Sequence, residues 1–134
     1  MTPRTAPLLL SLLLLACGAD TYDSSGTNMA AGTDAEITVS DDDGGNHRIE
    51  LEVRHLAPPA RLAEGAQFFV AWSVPEGGVP QHIGTLDYDE DTRIGELDTL
   101  TPYKVFEVLV TAETERLPRS PSEHVALRQE VEHD

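Results

Sequence analysis

Cysteine is nearly absent: Cys17 is the single one in 134 residues. One thiol cannot close an internal disulfide, so a folded domain here is held by its core alone. Cations are scarce as well, with 9 Lys and Arg against 24 Asp and Glu and a formal net charge of -15. Nucleic-acid binding draws on cationic side chains that displace phosphate counterions, so this balance argues against a nucleic-acid partner. It equally disfavours direct adhesion of the domain to an anionic lipid surface. A solvating or halophilic surface accounts for such charge as readily as an acidic function does. The chain also lacks a ten-residue helical stripe, a Gly-x-Ser-x-Gly elbow and a Gly-rich loop leading into a helix. Nucleophilic hydrolysis and phosphate chemistry therefore have no visible carrier, and a non-enzymatic protein is expected.

What is present begins with Leu8 to Ala16, nine residues that are apolar apart from Ser11 and follow a segment charged only at Arg4. As a helix this run would cover about half of the ~30 Å hydrocarbon thickness of a bilayer. Too short to span, with a cationic start and an apolar middle, it has the pattern of a secretory signal. The run ends in "LLAC", Leu14 to Cys17, which resembles the lipobox of bacterial lipoproteins. The resemblance implies that the Cys17 thiol becomes thioether-linked to a diacylglyceryl group, that cleavage leaves Cys17 as the first residue, and that its amine is acylated too. A thiol suits this because its thiolate is a strong nucleophile at moderate pH. Each buried methylene contributes about 0.8 kcal/mol, and two or more chains hold firmly. A signal peptide over 1–16, membrane attachment through Cys17 and an extracytoplasmic domain are the expectations. Gly18 follows the cysteine where an Asp would resemble an inner-membrane retention signal, which points to the outer membrane. An ordinary signal peptide with an incidental cysteine is the alternative.

Residues 17–35 have the Gly, Ser, Thr, Ala and Asp bias of a flexible tether. From Glu36 to residue 132 the pattern is that of a folded domain. "EITVS" reads as a short strand, and "HRIELEVRHL" alternates Ile49, Leu51 and Val53 against Glu50, Glu52 and Arg54. "QFFVAWSV" places Phe68, Val70, Trp72 and Val74 on one face. "QHIGTLDY" is a further strand whose Gly84 suggests a bulge or a close backbone approach. "RIGELDT" follows, and then "YKVFEVLVTAE", apolar on both faces as a central strand would be. "HVALRQEV" is the last, with Val125, Leu127 and Val131 inward. The only helix expected is a single turn near Ala60 to Gly65. Six or seven strands separated by Pro- and Gly-rich turns predict an all-β, antiparallel, immunoglobulin-like sandwich. Trp72, Phe106, Val108 and Val110 are its expected core.

The stretches "FFVAWSVPEGGVPQHIGTL" and "FEVLVTAE" resemble the extracytoplasmic carboxy-terminal domain of anti-sigma-K factors. The shared features are the aromatic-aliphatic strand ending in Trp72, the turn at Gly77 and Gly78, the pair Ile83 and Gly84, and Val110 to Glu113. The loop "TERLPRSPSEHVAL" keeps only the prolines of that family's pattern. The resemblance implies a sandwich fold outside the cytoplasm that serves as a sensory or interaction module without catalysis. Direct control of a sigma factor is not expected of a chain exported whole.

Two acidic turns are candidates for calcium. "DYDEDTRIGELD" sets Asp87, Asp89 and Asp91 at alternate positions with Asp98 at the twelfth, echoing a loop whose oxygens converge on one hard cation. Thr92 stands where that loop needs Gly, and Asp98 where a longer Glu reaches bidentately. "DDDGGN", Asp41 to Asn46, is a second turn of this kind. The histidines His47, His55, His82, His124 and His133 show no paired or cysteine-partnered spacing, which gives zinc little support; His55 and His82 are the one pair considered able to meet across the fold. The function expected is a lipid-anchored envelope module that contacts another envelope protein and needs no cofactor. The alternative is a calcium-dependent binding domain on the Asp87–Asp91 turn.

Overall fold

The computed structural model describes residues 18–134; the expected signal peptide and the expected lipidation site Cys17 lie outside them. Alternation of apolar and charged residues makes the first sheet. In β2 (Asp34–Asp41) and β3 (His47–Arg54) the buried residues Ile37, Val39, Ile49, Leu51 and Val53 point to one side. In-register pairing sets Ile37 opposite Leu51 and Val39 opposite Ile49, so the two strands offer one continuous apolar face. The remaining strands among the described residues are β1 (Asp20–Ser25), β4 (Phe68–Pro75), β5 (Gln81–Thr85), β6 (Asp87–Asp89), β7 (Ile94–Thr101), β8 (Val105–Glu113) and β9 (Val125–Glu132). The one α-helical turn among the described residues, α1, spans Pro59–Leu62.

Two antiparallel sheets result, ordered β1-β2-β3-β7-β6 and β5-β4-β8-β9. With β1 set aside, these orders reproduce the A-B-E-D and C′-C-F-G arrangement of immunoglobulin-like sandwiches. The all-β sandwich expected from the sequence is the observed fold. Phe69 and Ala71 from β4, Phe106, Val108 and Val110 from β8, and Leu127 and Val131 from β9 meet the first sheet in the main core. Each such large side chain contributes roughly 1.5–3 kcal/mol by leaving water.

Trp72 is fully buried, but on the opposite face of β4. There it packs with Val70 and Leu109, flanked by Phe68, Val74 and Val125, in a second apolar cluster. Its indole N–H donates to Thr111 Oγ1 at 2.9 Å, Thr111 donates to Glu113 Oε2, and the Ser122 amide donates to the same carboxylate oxygen at 2.8 Å. Thus β8 is apolar on both faces because each face has a core of its own. Val125 joins the second cluster because a bulge between Val110 and Thr111 turns it outward, opposite Thr111.

The sequence expectation needs correction at two places. Residues 20–35, read as tether, hold β1, a 3-10 turn at Asn28–Ala30 and the start of β2. This segment closes a seam of the sandwich: Tyr22 Oη donates to the Glu132 carbonyl at 2.7 Å, and Thr27 Oγ1 donates to the Val125 carbonyl at 2.6 Å. The strand read as "QHIGTLDY" is two strands, β5 in one sheet and β6 in the other. The chain changes sheets at Leu86, whose amide donates to the Phe69 carbonyl. Gly84 sits at a bulge, and a Cβ there would lie 2.6 Å from a Leu97 methyl. With β1 added and that strand divided in two, the described strands exceed the six or seven expected.

Candidate functional site

Because β2, β3 and β7 bury every second residue, their other residues form the outer face of the five-stranded sheet. In-register pairing aligns Asp23 with Glu36, Glu36 with Glu52, Glu52 with Glu96, and Glu96 with Asp87. One row of carboxylates therefore crosses all five strands. Side chains directly opposite lie about 4.5–5.5 Å apart at Cβ, where like charges destabilise a sheet. The two cations of this face serve mainly the neighbouring rows. Arg48 donates to both oxygens of Asp98, at 2.9 and 2.5 Å, and lies 3.2 Å from Glu50. Arg54 reaches Asp34 at 3.2 Å and Glu52 at 3.5 Å. Among the described residues, Asp23, Glu36, Glu96 and Asp87 form no ion pair. Glu36, Glu50, Asp87 and Glu96 help line a shallow depression of about 490 Å³.

Hydrogen bonds from Arg48 hold Asp98 below the usual carboxylate range, and Asp98 in turn raises the Arg48 guanidinium. Asp34 is also lowered, first by the hydrogen bond from His55 and further by Arg54.

Of the four predicted calcium ligands, Asp87 and Asp98 lie on this face in different rows, Asp98 opposite Glu50 and taken up by Arg48. Asp89 Oδ1 accepts the amides of Asp91 and Thr92, which closes the β6–β7 turn, and Asp91 is exposed within that turn. The pleat of a hairpin spreads these carboxylates where a calcium loop would gather them, and among the described residues no three of them converge within 4.8 Å. In "DDDGGN", Asp42 accepts the Gly44 amide at 3.2 Å, while Asp41 faces elsewhere.

Asp41 points to two histidines. Its Oδ1 lies 3.2 Å from His47 Nδ1 and 2.9 Å from His133 Nε2, and His133 Nδ1 lies 2.6 Å from Asp20 Oδ2. The rings of His47 and His133 meet edge to face with centroids 5.2 Å apart. Burial alone would lower His133, but carboxylates on both ring nitrogens outweigh it and hold the ring above its ordinary value. The same hydrogen bond to His133, with a second to His47, keeps Asp41 low.

Compared with protein-family models, curated proteins and solved structures, the chain matches none.

The histidine pair was not visible in the sequence, since His133 and Asp41 are 92 positions apart. The available signal was positional: Asp20, Asp41, His47 and His133 each stand at, or one residue beyond, the end of a strand. His55 and His82 do not pair with each other. His55 is exposed on Asp34, and His82 lies edge-on to Trp72 at 5.6 Å.

Proposed function

We propose that this chain is a non-enzymatic, lipid-anchored protein of the cell envelope whose sandwich binds a basic partner protein through the outer face of the five-stranded sheet. The row Asp23, Glu36, Glu52, Glu96 and Asp87 carries the reading. Directly opposed like charges cost stability in the free domain, and a lysine- or arginine-rich surface seated on them removes that cost. Such complementarity speeds encounter and suppresses wrong partners more than it adds affinity. The lipobox-like "LLAC" and the similarity to the extracytoplasmic domain of anti-sigma-K factors support an anchored interaction module, with the outer membrane favoured by Gly18.

Crosslinking in intact cells, followed by capture of the full chain from membranes, tests this. A basic envelope protein that elutes with salt and is lost from Glu36→Gln/Glu96→Gln is the expected result. Capture of the same partner by the neutralised chain would refute the acidic face as the contact.

A further inference from the structure

The cluster of Asp20, Asp41, His47 and His133 lies apart from the acidic face, at the end of the sandwich where the strand β1 begins. We propose that Asp41, His47 and His133 bind one divalent transition metal, zinc being the ion that fits, with Asp20 orienting His133 from behind.

Three observations carry this. First, the ligand atoms of Asp41, His47 and His133 all lie within 4.8 Å of one another, the only such group of His, Cys, Asp or Glu among the described residues. Tetrahedral zinc with bonds of about 2.0–2.2 Å separates its ligand atoms by roughly 3.3–3.6 Å. The two oxygen–nitrogen distances, 2.9 and 3.2 Å, already stand near that edge length. The two imidazole nitrogens lie within 4.8 Å of each other and close toward that edge length as the ion enters. Second, His133 has a carboxylate on each ring nitrogen. Metal-bound histidines characteristically donate their other N–H to a carboxylate, which fixes the tautomer. Here Nδ1–H remains on Asp20 while Nε2 faces Asp41 and the metal position; the metal replaces the proton that Nε2 otherwise needs to donate to Asp41. Third, the side chains of His133 and His47 are only 1 % and 8 % exposed, whereas Asp41 is 65 % exposed. The nitrogen ligands are held rigidly inside, and the oxygen ligand opens the site to solvent.

Two imidazoles and one carboxylate suit zinc and its neighbours, whereas calcium and magnesium favour all-oxygen sites. The fourth position is left to water. Asp41 and His47 are cross-strand partners at the ends of β2 and β3, and His133 follows β9. A metal there ties the carboxy-terminal end of the chain to the first sheet. Gly18 runs alongside, since a Cβ on it would lie 3.4 Å from Asp41 Oδ2. The clasp therefore sits beside the segment that leads back to Cys17.

The test is calorimetric titration of the full chain in detergent with zinc chloride, joined to the visible spectrum of the cobalt-loaded protein. One equivalent of zinc with a tetrahedral cobalt spectrum is expected. Asp20→Asn is expected to weaken binding about 10–100-fold through the lost orientation of His133, and Asp41→Asn, which keeps an Oδ1 acceptor for the two rings but loses the charge, at least as much. Glu36→Gln/Glu96→Gln is expected to bind as the wild type does, which separates this site from the acidic face. Absence of saturable zinc binding by the wild type would overturn the proposal. So would binding undiminished in both Asp20→Asn and Asp41→Asn, or binding lost with the neutralised sheet face.

Discussion

Trp72 donates its indole N–H to Thr111 Oγ1 at 2.9 Å across neighbouring strands, on the face of the four-stranded sheet turned away from the main core. The hydroxyl then donates to Glu113, whose carboxylate also receives the Ser122 amide. The loop between β8 and β9 is thereby fastened over the second apolar cluster. Trp72→Ala should cost about 3–5 kcal/mol, from lost burial and the cavity left behind. Thr111→Val keeps the volume but strands the indole N–H and one bond of Glu113, at about 1–3 kcal/mol per unsatisfied group. Urea unfolding monitored by far-ultraviolet circular dichroism measures both, and a Thr111→Val protein as stable as the wild type would refute the network.

Gly26 distinguishes a folded amino-terminal segment from a tether. Its amide donates to the Thr33 carbonyl at 2.8 Å, and an added Cβ would collide with the Ala30 carbonyl oxygen and come within 2.8 Å of Thr33 Cβ. In a flexible tether Gly26→Ala would be silent. In this fold it should destabilise the domain by about 1–3 kcal/mol and release the β1 amides. Hydrogen exchange across Thr21–Ser24 reads this directly: protection in the wild type and its loss in Gly26→Ala are expected.

The carboxylate row predicts a salt response. Added salt shortens the Debye length from about 30 Å at 0.01 M to about 3 Å at 1 M, which screens the repulsion. The melting temperature should therefore rise with sodium chloride. Glu36→Gln, which removes the acid between Asp23 and Glu52, should stabilise by about 0.2–1 kcal/mol at low salt and by less at high salt. A melting temperature that falls with salt would contradict the arrangement.

Asp98 gives a pH dependence of opposite origin. Arg48 holds its carboxyl below the ordinary carboxylate value of 3.8. The stability this pair contributes is therefore present above that unfolded value and is lost as pH falls through the lower folded one. Both side chains are about half exposed, so solvent screening keeps the contribution small. Asp98→Asn should be slightly less stable than the wild type at neutral pH, and the difference should vanish in strong acid. Parallel urea titrations across this range measure it.

Strands such as β3 and β8 were legible because they carry period-two apolar residues, as Ile49, Leu51 and Val53 do in β3, whereas β5 and β6 read as one strand because the change of sheet at Leu86 leaves no break in the sequence. By contrast, β1 was not legible. Its inward positions, Asp20, Tyr22 and Ser24, cover a seam instead of filling a core, so they are polar and leave no apolar alternation. The outward turn of Trp72 was hidden for a related reason: alternation tells which residues share a face, not which face meets the other sheet. The acids of the sheet row were visible singly, but their alignment depends on register across five strands. The meeting of His47 with His133 depends on how the last strand returns beside the first, which local sequence does not encode.

The most direct measurement is mass spectrometry of the mature protein extracted from membranes of the native cell, with the Cys17→Ser variant fractionated in parallel. A chain that starts at Cys17 and carries diacylglyceryl and amide-linked acyl groups, with the variant in the soluble fraction, is the predicted result. A chain that retains Met1, a free Cys17 thiol, or a Cys17→Ser protein still held by membranes would contradict it.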